Sequence, residues 1–262
     1  TNPTQTPVKF GATASDMPEL SPDDFDTSGF LAESGTNAGS TQTSGGSQVT
    51  IANKTLSTSD TQVMQVSNPG RSGLTAGEII LKSDFDAANA GLSSSRKATG
   101  TNISVANAVE HTPYGSTSYQ ATYSRPVFKN MHFVNVTIPK GLNALFDNCT
   151  FDGVTYVDLT TNITNTSGQT TTSASDGMTW SKSMKSGSFS SSTTLTSANS
   201  NGFNNGNNLR FNDCTINGPM ASDDPTAYTH FTNSWEFTGS TLFSNTVDQT
   251  ATMVCPQTNI EM

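Results

Sequence analysis

The stretch FDNCTFDG, Phe146 to Gly153, returns further along the chain as FNDCTING, Phe211 to Gly218. Both copies read aromatic, two Asp/Asn, cysteine, threonine, an apolar residue, one more Asp/Asn and glycine. Alternate side chains of an extended segment face the same way, so Cys149 and Phe151 are expected to share a buried side while Thr150 faces out. Asp152 and Gly153 then supply a corner, because Asn, Asp and Gly accept left-handed backbone angles and Asx side chains bond nearby backbone.

The same five-residue period extends outward from these copies. It reads PVFKN, MHFVN, VTIPK over 126–140, ALFDN, CTFDG, VTYVD over 144–158, LRFND, CTING over 209–218, and WEFTG, STLFS, NTVDQ over 235–249. The third residue of nearly every pentad is large and apolar, and the last is often Asn, Asp or Gly. A chain that bends the same way every five residues winds into a coil, and successive coils stack through parallel strand pairing. The period breaks between Ile138 and Phe146, and FTNSWEF carries one extra residue between Phe231 and Phe237.

These pentads resemble the parallel β-helix proteins and, locally, the pentapeptide-repeat proteins, whose consensus also sets a small residue two places before a large apolar one. The resemblance covers about 126–158, 207–218 and 229–248, and its interruptions favour an irregular all-β parallel β-helix, or β-solenoid, over a regular square coil. It implies a scaffold shared by surface fibres, adhesins, phage tailspikes and polysaccharide lyases, so the fold alone does not name an activity. In the enzymes of that group, clustered Asp and Glu bind calcium or act as acid and base.

The rest of the chain divides around this core. Residues 1–48 carry Pro, Gly, Ser and Thr and the acidic patch SPDDFDTSGF without apolar periodicity, and read as an extended low-complexity arm. Over 49–125, short β-like runs such as QVTIA and TQVMQVS lead into the coil between turn signals. Within them, TAGEIILKSDFDAANAGL reads as one short helix capped by Thr75 and ending near Gly91. Residues 126–262 form the β-helix core, with an excursion at 160–208 where the pentads vanish into Ser, Thr and Asn and the period resumes at Leu209. A hairpin lying against the stack is one form for that excursion, and such excursions are where binding resides.

Composition narrows the function. Charged residues make up 13% and hydrophobic residues 32%, both low, which suits a fold with a narrow core. A net charge of −9 and few basic residues speak against nucleic acid as a partner. No apolar run approaches a membrane span, no signal-peptide pattern is seen, and the absence of an initiating Met suggests a processed chain or a fragment. Richness in Ser and Thr with little Lys fits an exported surface protein, so an extracellular or cell-surface location is expected.

Chemistry-bearing motifs are scarce. GxSxG, HExxH, GxGxxG and GxxxxGK[ST] are all missing. Cys149 and Cys214 hold equivalent repeat positions and read as buried thiols; with Cys255 they form no CxxC pair, and a bridge between any two of the three is the oxidising alternative. His132 and His230 each precede a pentad aromatic and are expected to face outward as an echo of the repeat, and His111 reads as a loop residue. The carboxylates considered are Asp23, Asp24 and Asp26; Asp84 and Asp86; Asp147 and Asp152; and Asp223 and Asp224. Solvated turns explain them first, a calcium site second and catalysis last. No catalytic, cofactor-binding or metal-binding residue is assigned, no cofactor is expected, and calcium is the metal such oxygens would take. Six Asn-x-Ser/Thr sequons, at Asn53, Asn102, Asn135, Asn148, Asn162 and Asn165, match what this composition produces by chance.

The leading expectation is a secreted structural protein, the subunit of an extracellular filament, pilus-like fibre or surface layer. It would self-associate into a homopolymer through strand edges at the coil ends or through the N-terminal arm laid across a neighbour. The alternatives are a glycan-binding adhesin or tailspike-like module using Tyr114, Tyr119, Tyr123 and Trp180, and a polysaccharide lyase or hydrolase.

Overall fold

The computed structural model describes residues 27–34, 41–45, 48–111, 122–159, 163–164, 170–171, 206–224, 233–244, 253–256 and 258–262. It is broadly all-β. In chain order come α1 (Ser28–Glu33), β1 (Thr41–Gly45), β2 (Gln48–Thr55), β3 (Val63–Asn68), β4 (Ile79–Leu81), α2 (Lys82–Ala88), β5 (Thr99–Asn102), β6 (Ala108–His111) and β7 (Thr122–Arg125). The pentad region supplies β8 (Val127–Lys129), β9 (Met131–Ile138), β10 (Leu145–Asp147) and β11 (Thr150–Val157), then the hairpin β12 (Ile163–Thr164) with β13 (Thr170–Thr171). It continues through β14 (Leu209–Asn212), β15 (Thr215–Ile216), β16 (Met220–Ser222), β17 (Ser234–Thr238), β18 (Leu242–Phe243), β19 (Met253–Val254) and β20 (Asn259–Glu261).

The chain alternates between two parallel sheets. One has the order β20-β17-β14-β10-β8; the other runs β2-β9-β11 and then β15 and β18, with β16 and β19 continuing the far half of β11. Register is strict. Phe128, Phe146, Phe211 and Phe237 are neighbours across the first sheet, and Ile51, Phe133, Phe151, Ile216 and Phe243 are neighbours across the second.

The two rows meet in the interior. Phe146 is fully buried, stacked on Phe128 at 5.0 Å and Phe211 at 5.2 Å, and meets Phe133 and Phe151 edge-on at 5.5 and 5.1 Å. Stacking along a row and edge contacts between rows are the arrangements that an aromatic quadrupole favours. Cys149 and Cys214 occupy the corner between the rows, both about 1% exposed and both free thiols.

The corners follow the expected chemistry. Asn130, Asn148 and Asp213 take φ near +50°, and Gly239 continues the series at +65°. A second series of left-handed residues, Asn53, Asn135 and Gly153, bends the longer strands midway. At Gly153 an added Cβ would lie 2.1 Å from Asn135 Oδ1, the atom that accepts the Val154 N–H at 2.9 Å. This bend inserts a bulge between Asp152 and Thr155, so Val157, not Tyr156, pairs with Ile138. The pentad reading would have put Tyr156 in the core. Instead it shares an outward row with Thr137 and is buried beneath the N-terminal segment.

Three further features of the fold bear on the expectations. First, β2 already belongs to the second parallel sheet, since Val49 to Thr55 run in parallel register with Met131 to Thr137 across a long interval. Residues 56–111 are therefore largely an excursion, in which β3, β4 and β5 pair antiparallel over a small core of Met64, Val66, Phe85 and Ala98. Second, the helix expected from Thr75 begins only at Lys82. Ile79 to Leu81 pair with β3, since β-branched residues beside an open strand gain more from sheet packing than from a helix. The Thr75 N–H donates to the Glu78 carboxylate in a turn that includes Gly77 at φ +82°, so Thr75 caps no helix. Third, the described part of the arm is folded onto its own chain. β1 pairs antiparallel with β2, and Ser34 Oγ lies 2.8 Å from Thr137 Oγ1 in a buried contact.

Of the excursion expected at 160–208, the described residues include the β12–β13 hairpin and 206–208, and the rest lies outside them. Arg210 N–H donates to the Ala144 carbonyl at 3.0 Å as the chain rejoins the first sheet.

Candidate functional site

The densest grouping of chemistry-bearing side chains lies on the outer faces of β8 to β11, on both sides of the Asn130/Asn148 corner. Strand alternation puts it there: the neighbours Thr50, His132 and Thr150 point outward because Ile51, Phe133 and Phe151 point in. His132 Nε2 lies 2.6 Å from Asp152 Oδ2, and His132 Nδ1 lies 3.2 Å from Thr50 Oγ1. Asn217 Nδ2 donates to the other Asp152 oxygen at 2.7 Å. An ionised carboxylate only accepts, so Nε2 carries a proton, and in the neutral imidazole Nδ1 accepts from the threonine hydroxyl.

Across the corner, Lys129 Nζ donates to Asp147 Oδ2 at 2.7 Å and Asn212 Nδ2 to Asp147 Oδ1 at 3.0 Å. Partial burial works against ionisation of Asp147, but the hydrogen bonds from Lys129 and Asn212 outweigh it and hold the carboxyl below its ordinary range. The same bond raises the Lys129 ammonium. Farther round, Tyr156 donates to Asp223 Oδ1 at 2.6 Å, and the Leu159 N–H donates to Asp223 Oδ2 at 2.8 Å. Burial, then the bond to Asp223, pushes the Tyr156 hydroxyl up.

A hydroxyl, an imidazole and a carboxylate in a row are the groups of a nucleophilic triad. Here, however, each sits on a different strand of the second sheet, and Thr50 lies inside β2, which is paired with β1 on one side and β9 on the other. The row therefore works as a cross-strand ladder in which each turn hydrogen-bonds the next, and such pairs contribute about 0.2–1 kcal/mol each. Asp147 and Asp152, expected at corners, belong to β10 and β11 and are both engaged by donors from neighbouring strands.

The remaining sequence candidates are dispersed. Asp84 and Asp86 lie on α2, where Asp86 pairs with Lys82, and Asp223 and Asp224 follow β16. Asp23, Asp24, Asp26, His230, Tyr114, Tyr119, Trp180, Asn162 and Asn165 lie outside the described residues, as do the side chains of His111 and Tyr123. Among the described residues, no group of three or more His, Cys, Asp or Glu could hold a metal. Also among them, no helix is long and apolar enough to cross a membrane.

A second structural row escaped the sequence reading. Asn207 Oδ1 accepts the Asn143 N–H at 3.0 Å, Asn143 Oδ1 accepts the Asn208 N–H at 2.8 Å, and Asn208 Oδ1 accepts the Ser234 N–H at 3.2 Å. All four residues are buried. The signal was present as Asn three places before Phe, in NALF and NLRF.

The far edges of the two sheets are different. Among the described residues β18, β19 and β20 are edge strands, and Phe243, Met253, Cys255 and Ile260 are only partly buried against the core. Leu242 is 57% exposed and Met262 80% exposed. The opposite end is dressed by β1, which pairs with β2, and by the turn Thr58–Thr61 against β8. No known protein family, curated protein or solved structure matches the chain.

Proposed function

We propose that the chain is an irregular parallel β-helix serving as a structural subunit of an extracellular filament, pilus-like fibre or surface layer. The observation that carries this reading is the far edge of the two sheets: among the described residues β18, β19 and β20 are the last strands, and the apolar rows of the core run out to Phe243, Met253 and Ile260, which are only partly buried. Such an edge is a template for adding strands from another chain. The polar rows on the outer faces support the same role, since their carboxylates are engaged by neighbouring turns. The described arm residues pack on their own chain, so the reading places assembly at the stack end rather than in α1.

Static light scattering over a concentration series, with electron microscopy of the same samples, tests it. Filaments or sheets growing with concentration are expected. A chain that stays monomeric up to about 1 mM, a concentration at which even weak association is visible, would defeat the reading.

A further inference from the structure

The 56–111 excursion folds back against the first strands of both parallel sheets, and a cleft of about 140 Å³ opens where they meet. β2 and β9 bring Val49 and Met131 to it, and Val63 at the start of β3 joins them; all three are buried members of the main core and make an apolar floor. Ile79 of β4 and, after β5, Ile103 and Val105 form the sides, the last two 43% and 41% exposed and so at the mouth. That space is roughly what one benzene ring occupies in an apolar protein cavity, so the cleft is sized for a small ligand.

The polar groups around the floor are mostly donors. Lys129 gives one N–H to Asp147 Oδ2 at 2.7 Å and, as an ammonium, has two more and no acceptor. Asn130 Oδ1 accepts from Asn148 Nδ2 at 2.7 Å, so what Asn130 can offer a ligand is its amide N–H pair. Ser104 Oγ accepts the Val63 N–H and retains its own hydroxyl proton. Thr61 differs: its hydroxyl donates to the Thr58 carbonyl at 2.8 Å, which leaves its oxygen as an acceptor.

Charge and shape decide what such a cleft selects. The Lys129–Asp147 pair is neutral as a unit and the chain carries −9, so an anion gains little, while a cation meets donors rather than acceptors. No aromatic ring lines the cleft, so a sugar ring has no flat face to stack on. What matches is an apolar body with a carbonyl oxygen for the donors and an N–H for Thr61.

We propose that this cleft binds a small uncharged carboxamide, its apolar body against Met131, Ile79 and Ile103 and its carbonyl oxygen accepting from Asn130 and Lys129. β2 and β8 stand at the other side of the sheet order from β18 and β20, so the site is independent of assembly at the far edges.

The test is a titration of the full-length chain with benzamide, followed by methyl NMR. Signals of Ile79, Ile103 and Val105 should shift saturably with a Kd of about 1–10 mM, which is ordinary efficiency for a ligand of about nine non-hydrogen atoms. Benzoate and benzylammonium, charged analogues of similar size, should bind at least about fivefold more weakly. Val105→Trp should fill the cleft and abolish the Ile79 and Ile103 shifts with an unchanged circular dichroism spectrum; Ile103→Trp replaces it if that variant folds poorly. Asn130→Gly keeps the left-handed corner, φ 55°, and removes only the amide, so benzamide should weaken about fivefold. Absence of saturable shifts up to about 50 mM, wild-type binding by the filled variant or by Asn130→Gly, or tighter binding of either charged analogue would overturn the proposal.

Discussion

Replacing Phe146 by Ala strikes the centre of the interior rows. The ring is fully buried and touches four others, two stacked and two edge-on, so its removal opens a void between two turns that neither sheet can close without losing register. Buried Phe→Ala substitutions cost about 3–5 kcal/mol, and the rigid surroundings argue for the upper half of that range. With a urea slope of about 2–3 kcal/mol/M for a chain of this size, the midpoint should fall by about 1.5 M. Unfolding is followed by far-UV circular dichroism and by fluorescence, to which the fully buried Trp235 contributes. Leu242→Ala is the control: its side chain is more than half exposed, and the change should stay within about 0.5 kcal/mol. If the two variants shift the midpoint equally, or Phe146→Ala costs under about 1 kcal/mol, the rows do not carry the core and the stacking argument is wrong.

Gly218→Ala would set a Cβ 1.9 Å from the Gly153 carbonyl oxygen on the adjacent turn. Since backbone must move, a melting temperature lower by several degrees is expected, whereas Gly73→Ala, with open space around it, should lose only what its φ of +86° demands. Burial raises the Cys255 thiol to about 11 and the Cys149 thiol well above its ordinary range, so native protein at pH 8 should react slowly with a thiol reagent and rapidly once urea is added. Fast native labelling of Cys149 would contradict the burial. Asp147, held low by Lys129 and Asn212 against partial burial, contributes stability above the unfolded carboxyl range near 3.8 that is lost as pH falls through its folded value. Asp147→Asn should therefore weaken the protein at pH 7 and match wild type near pH 2. Asp158 has the opposite sign. Burial and then Asp223 raise its carboxyl, so Asp158→Asn should stabilise at pH 7 and have no effect below pH 3; stabilisation persisting in acid would refute this.

The aromatic rows and corner residues were legible in the sequence because both are local: alternation and a left-handed residue recur within each pentad. The thiol pair was legible for the same reason. What escaped depends on distance or on a single shifted residue. β2 carries the same alternation in QVTIA, but its partner β9 lies beyond a folded excursion, and parallel pairing leaves no mark on either strand. The bulge after Asp152 adds one residue and turns Tyr156 outward, which no period reveals. SGFLAE is too short to display helical periodicity, and α1 exists where its flanks reach Thr137 and Tyr156. The Thr50, His132, Asp152 and Asn217 row spans β2, β9, β11 and the residue after β15, so its members look unrelated until the strands are placed side by side.

The asparagine at position 207 has a wider meaning. Its amide nitrogen donates to the carbonyls of Pro139 and Asp158, at 3.0 and 3.1 Å, where one turn closes directly through 139–144 and the next departs on the detour 158–208. Chain statistics make the longer path only about 2 kcal/mol costlier than the shorter one, because closure entropy grows with the logarithm of length. One side chain that rivets the exit to the re-entry can offset much of that difference. The scaffold is therefore indifferent to cargo at this vertex: peptides of widely differing size can be spliced in here while the rings below keep their spacing.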